Sequence, residues 1–237
     1  MFLPAVLIAV WVSPTWLRRF ILLGAGLFFY AWGVQEFVLV IVASTVVDWA
    51  LARGMASADA RGQLRLKRAL LILGLLQNLG LLAWFKYASY ASWQIDRLAD
   101  LLGLASPGTL EILLPIGISF FTFEKISYLV DVWRGDVEAR RDPLDVLLFV
   151  SLFPRSIAGP IVRLREIQQD LRRPQPRLDQ VQDGAIRFAH GLTKKVLIAD
   201  QIAPIADAAF GSVRDGSLTT GSAWLGMLAY GLQLYFD

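Results

Sequence analysis

Residues 69–85 read ALLILGLLQNLGLLAWF, an uncharged apolar run that follows directly on Arg65, Lys67 and Arg68. A helix of that length comes close to crossing the ~30 Å hydrocarbon layer of a bilayer, and a basic cluster at its edge marks where it leaves lipid. Comparable runs flank it on both sides: residues 1–17, 20–34 (FILLGAGLFFYAWGV) and 37–52 before it, 112–133 and 219–236 after it. The chain is 56% hydrophobic and 18% charged, whereas soluble domains carry roughly a quarter charged residues. The apolar surplus is therefore read as lipid-facing surface rather than as core. Eight Trp and six Tyr suit the headgroup boundary, where such rings collect. Residues 1–17 lack the charged start and small-residue cleavage site of a signal peptide, so they are read as a retained first helix. The fold class predicted is all-α: a polytopic transmembrane helical bundle, with residues 1–237 forming a single transmembrane domain.

Composition also excludes classes of function. The absence of cysteine removes disulfides, thiolate nucleophiles and cysteine metal sites. A single histidine leaves no imidazole set for a metal, so no bound cofactor and no metal is expected. The net charge of +3 is spread between apolar runs, which suits topology signals and not nucleic-acid binding.

Orientation follows from the Arg and Lys residues. Residues 53–68 hold Arg53, Arg61, Arg65, Lys67 and Arg68 against Asp59. With that loop cytoplasmic, Arg18 and Arg19 are cytoplasmic too, while Glu36 and a connection at 86–111 face outward. The prediction is a multi-pass protein of the cell (inner) membrane with its N-terminus extracytoplasmic. Residues 144–162 (LDVLLFVSLFPRSIAGPIV) break this alternation. Basic residues stand on both sides, eight of them within 163–195, so both ends belong in the cytoplasm. The uninterrupted part, 144–153, spans roughly 15 Å as a helix, about half of the hydrocarbon layer. Pro154, Gly159 and Pro160 then interrupt it. A re-entrant element that lines a cavity satisfies both facts. In 180–199, Val181, Ala185, Phe188, Leu192 and Ala199 recur at helical spacing, which predicts an amphipathic helix on the cytoplasmic face.

Polar residues inside apolar runs require explanation, because a charge at a helix centre costs about 2.5–3.5 kcal/mol on insertion scales. Glu124, Ser127, Tyr128 and Asp131 fall at i, i+3, i+4 and i+7 and share one helix face. That face is read either as a polar path for substrate or as a buried hydrogen-bond network, with Asp131 capping against Arg134. Lys125 lies off the face. Asp48 reads as a packing or pairing residue, and His190 has no motif partner that would make it a base.

Three strings carry a family resemblance: LPIGISFFTFEKISYLVDVWRG (114–135), LFPRSIAGPIVR (152–163) and GLTKKVLIAD (191–200), with FFYAWG (28–33) before them and WLGMLAYGLQLYFD (224–237) at the close. In this order and spacing the chain resembles the membrane-bound O-acyltransferase family, in the branch of alginate O-acetylation and of D-alanyl transfer to teichoic acids. Two departures stand out. The family usually has Gln after Phe-Pro, where this chain has Arg155. It usually has Gln and a small residue after FTF, where this chain has Glu124 and Lys125.

The resemblance implies O-acyl transfer, with acetylation of an exported polysaccharide such as alginate as the expected reaction. It implies an acyl donor, acetyl-CoA or an acyl carrier, arriving from the cytoplasm. Its implied partners are membrane lipid, extracytoplasmic acetyltransferase proteins and the polysaccharide acceptor. Path residues carried over from the polar face and the interrupted segment are Glu124, Ser127, Tyr128, Asp131, Pro154, Arg155, Gly159, Pro160 and Arg163. The family's essential histidine follows the YFD string, which here is Tyr235, Phe236 and Asp237. The resemblance thus covers the N-terminal half of the usual domain, truncated at its C-terminus. No catalytic residue is expected within the chain, which is expected to be inactive alone. The alternative is a transporter-type or structural subunit of a polysaccharide export system, since broken helices and intramembrane carboxylates suit that class as well.

Overall fold

The computed structural model describes residues 2–33, 37–105, 108–115, 117–155, 159, 162–172, 178–214 and 216–237. The chain divides into two compact units, Met1–Gln175 and Pro176–Asp237. Among the described residues, three helical runs are long and apolar enough to cross a membrane: Phe37–Ala60, Leu64–Leu101 and Leu178–Val213. The protein is an all-α, multi-pass membrane bundle.

In the first unit, α1 (Phe2–Val12) and α2 (Thr15–Gly33) are followed by α3 (Phe37–Ala60) and α4 (Leu64–Leu101). A hairpin joins α3 to α4, with Gln63 N–H donating to the Ala58 carbonyl at 2.8 Å and Lys67 Nζ to Asp59 Oδ1 at 2.7 Å. Both helices extend past the expected spans of 37–52 and 69–85. The Ala-rich end of α3 has no proline, so it continues into the basic loop. The far half of α4 becomes polar without becoming loop. Its side chains serve the returning chain: Asp96 accepts from Gly108 N–H at 3.0 Å and from Thr109 Oγ1 at 2.6 Å. Ser92 Oγ accepts from Leu110 N–H, and Ser89 Oγ from Ile112 N–H. The outward connection expected at 86–111 is therefore mostly helix. Leu73, Leu76, Leu79 and Trp84 on α4 are exposed, as a lipid-facing surface should be, and Tyr87, Tyr90 and Trp93 follow towards its end.

The fifth expected span, 112–133, begins later. Pro115 is followed by α5 (Ile118–Arg134), which ends on Gly135 at φ 82°. Gly135 N–H donates to the Asp131 and Val132 carbonyls, a left-handed helix end that glycine adopts without Cβ strain. Next come α6 (Pro143–Val150), a 3₁₀ turn at Phe153–Arg155, and α7 (Leu164–Arg172). Asp142 caps α6 through Leu144 N–H and pairs with Arg19 at 3.3 Å. Val146 through Val150 are all buried, so α6 is core rather than lipid-facing surface. At eight residues it spans about 12 Å.

Two close approaches fix these elements. A Cβ on Gly26 of α2 would lie 2.0 Å from the Ser151 carbonyl oxygen, and one on Gly74 of α4 would lie 2.6 Å from Leu129 Cδ1 on α5. Small residues at such crossings let membrane helices pack on each other's backbones.

In the second unit, α8 (Leu178–Lys194), a π-helical turn at Lys195–Ala199 and α9 (Asp200–Arg214) run on as one rod, and α10 (Thr220–Phe236) packs against α9. The segment 180–199 is part of this rod rather than a separate element. Residues of α8 are all exposed, His190 included. Phe210 and Tyr230 meet edge to face at 5.6 Å, and a Cβ on Gly226 would lie 2.5 Å from Ala209 Cβ.

Candidate functional site: a buried ionic core

Two buried ion pairs sit side by side on α5. Lys125 Nζ lies 3.5 Å from Asp48 Oδ2 of α3, and both side chains are fully buried. Lys125 also donates to Ser44 Oγ at 2.7 Å. Asn78 of α4 donates to Asp48 Oδ1 at 2.7 Å and to the Gly74 carbonyl at 2.9 Å. The pair thereby ties α3, α4 and α5 together at one depth. The Lys125 ammonium also stands 5.5 Å over the Phe121 ring. Buried ions hold their charge only when paired and hydrogen-bonded in this way.

The neighbouring residue makes the second pair. Arg155 Nη1, on the 3₁₀ turn, lies 3.4 Å from Glu124 Oε1, with side chains 9% and 5% exposed. Arg155 Nη2 donates to the Phe149 carbonyl, and the guanidinium stacks 4.6 Å over the Phe149 ring. Phe153 packs edge to face on Phe2 at 5.0 Å and lies 5.8 Å from Phe29. The turn is thus held by aromatic packing on one side and by a charge pair on the other. Of the three positions that depart from the resembled pattern, Glu124 and Arg155 are partners in one contact, and Lys125 is the cation of the neighbouring one.

Seven residues further along α5, about 10 Å, Asp131 lies 3.8 Å from Arg163 Nη1. Its partner is Arg163 and not the expected Arg134. Tyr128 is buried and its hydroxyl accepts from Arg140 N–H at 3.1 Å. Ser127 Oγ donates to the Glu124 carbonyl within its own helix. Pro154 is exposed on the turn. Gly159 N–H donates to the Arg155 carbonyl at 3.3 Å, and a Cβ there would lie 2.5 Å from Arg155 Cα. Pro160 lies outside the described residues.

The helical face was legible in sequence, and so were Asp48 as a pairing residue and the charged departures. The Lys125–Asp48–Asn78 assembly was not. Its signal was polar side chains in three apolar runs, but depth along each helix decides which of them meet. The arrangement neutralises and positions charge. Its carboxylates face cations, not a nucleophile awaiting a base. Among the described residues no group of three or more His, Asp or Glu side chains could hold a metal ion.

Comparison with known proteins gives the context. The chain is 41% identical over 237 residues to the "probable alginate O-acetylase AlgI" of Azotobacter vinelandii, covering 100% of this chain and 46% of that protein. The chain is homologous to the N-terminal half of the alginate O-acetylase family. The protein of the same name from Pseudomonas aeruginosa is 39% identical over 100% of this chain and 45% of its own length. A "peptidoglycan O-acetyltransferase" of Helicobacter pylori is 33% identical over 90% of this chain and 44% of its own length. The chain thus spans about half the length of the curated relatives it matches. No protein-family model matches the chain, and no solved structure does.

Proposed function

We propose that the intact protein is a membrane-bound O-acyltransferase that O-acetylates an exported polysaccharide such as alginate. The observation that carries this reading is 41% identity to a probable alginate O-acetylase along the whole of the chain. The acyl group comes from a cytoplasmic donor, acetyl-CoA or an acyl carrier, and passes across the membrane to the acceptor or to an extracytoplasmic acetyltransferase partner. The reacting base is the histidine that the family resemblance assigns to a segment following the YFD string. Residues 1–237 supply the scaffold and one wall of the path.

In this reading residues 144–162 enter from the cytoplasm and return, with the N-terminus outside. Several contacts support it. Arg140, ahead of α6, donates to Gln168 of α7 at 2.6 Å, so the two ends of the segment are close together. Arg163 reaches Asp131 at the end of α5, whereas Arg155 reaches Glu124 about 10 Å deeper. These two depths support a segment that enters and returns. Glu124, Ser127, Tyr128, Asp131, Pro154, Arg155, Gly159 and Arg163 border the path, and the Glu124–Arg155 pair sets its narrow wall.

The test uses sealed inside-out vesicles that carry the intact protein, its partners and a polysaccharide acceptor. Radiolabelled acetyl donor added outside, to the cytoplasmic face, yields acetylated polymer in the lumen. Label that reaches the polymer only after vesicle rupture overturns the direction of transfer. No label under either condition overturns the acyl-transfer reading.

A further inference from the structure

A cleft of about 580 Å³ opens at the basic end of the first unit, lined by Arg53 and Ala56 of α3 and by Glu138, Ala139, Arg140 and Arg141 of the loop before α6. The lining thus carries three arginines and one glutamate. Neither Arg53 nor Arg141 has a carboxylate within ion-pair distance among the described residues. Arg140 is 4% exposed, and it is held rigidly. Its N–H donates to Tyr128 Oη, its carbonyl accepts from Trp49 Nε1 at 2.9 Å, and its Nη2 donates to Gln168. The loop is therefore shaped in advance of any ligand, which lowers the cost of binding one.

Depth selects the ligand. Arg53 lies sixteen residues along α3 from Phe37, about 24 Å, within a helix long and apolar enough to span. That is short of the ~30 Å hydrocarbon thickness, so the cleft stands at the hydrocarbon–headgroup boundary rather than in bulk water. Guanidinium groups suit phosphate oxygens through paired N–H donors, and at this level the abundant phosphates belong to lipids. We propose that the Arg53/Arg140/Arg141 cleft binds the phosphate of an anionic phospholipid headgroup and so seats the α3–α5 end of the bundle in the cytoplasmic leaflet. The inference is independent of the acyl-transfer reading.

The cysteine-free chain permits a direct test. Ala56→Cys places one thiol in the cleft, and its rate of modification by the uncharged reagent N-ethylmaleimide is read after reconstitution. Vesicles of phosphatidylcholine are compared with vesicles containing about a third phosphatidylglycerol. We expect at least threefold slower modification with phosphatidylglycerol, and loss of that protection when Arg53 and Arg141, both exposed, are changed to Gln. A helical circular dichroism spectrum like that of the parent shows that the variant is folded. Equal rates in the two vesicles, or protection that persists in the double variant, overturn the site. Equal protection by millimolar inorganic phosphate in phosphatidylcholine vesicles overturns the lipid as its source.

Discussion

Exchanging Glu124 and Arg155 for the glutamines that the resembled pattern carries separates a charge pair from two independent polar contacts. At 3.4 Å and an effective dielectric of about 20, the mutual attraction is about 5 kcal/mol. Desolvation of both groups offsets much of it, but removing one partner strands the other charge in a dry site and costs about 3–5 kcal/mol. Glu124→Gln leaves a guanidinium that is 9% exposed, still bonded to the Phe149 carbonyl, so about 3 kcal/mol is expected. Arg155→Gln strands the carboxylate and gives up the stacking on Phe149, with a similar loss. The double variant carries no charge and can pair amide with amide. It is expected to be no less stable than either single, a coupling of about 3 kcal/mol. Reversible unfolding of the purified chain in mixed detergent micelles, followed by helical circular dichroism, measures all four proteins. Losses that simply add in the double variant refute the pair as a unit.

Further consequences are equally direct. Asp48→Leu strands Lys125 in a fully buried site and is expected to cost about 3–5 kcal/mol, with Asp48→Leu/Lys125→Met recovering most of it in the same unfolding assay. Gly26→Val pushes a side chain into the Ser151 carbonyl, whereas Gly24, with nothing within 4 Å of its Cβ position, tolerates Ala. Relative yields of monodisperse protein distinguish the two, and equal yields refute the close α2–α6 contact. Single cysteines at Arg134 and Glu166 are expected to react with an impermeant thiol reagent from the same side of the membrane. Labelling from opposite sides contradicts a segment that enters and returns.

The limits of the sequence are physical. Hydropathy located the apolar centres of α3 and α4 because transfer into lipid scales with apolar surface. It ended them too early because a helix can leave lipid without ending. Beyond Phe85, Ser89, Ser92 and Asp96 remain helical and bond the backbone of residues 108–112. Residues 112–115 are as apolar as a span, yet they lie outside the helix, ending on Pro115. The face formed by Glu124, Tyr128 and Asp131 was legible because side-chain direction follows from helical period alone. Its partners were not. Arg155 meets Glu124 only because α6 stops after eight residues and because Gly26 lets Ser151 approach α2, a depth that no local pattern encodes. The amphipathic segment at 180–199 shows the same limit. Its spacing was amphipathic, but Lys195–Ala199 carries the helix through a π turn into α9, so period alone did not disclose the longer rod.

The central claim, transfer of acetyl groups to an exported polysaccharide, is tested most directly by the O-acetyl content of that polymer. A bacterial host lacking its own alginate O-acetylase is supplied with the intact protein, and secreted alginate is measured by proton nuclear magnetic resonance. Acetylated polymer is predicted with the unaltered protein, and a marked loss with Glu124→Leu at an equal membrane level. Normally secreted alginate without acetyl groups, from a host in which the protein is inserted at the level of the enzyme it replaces, contradicts the account.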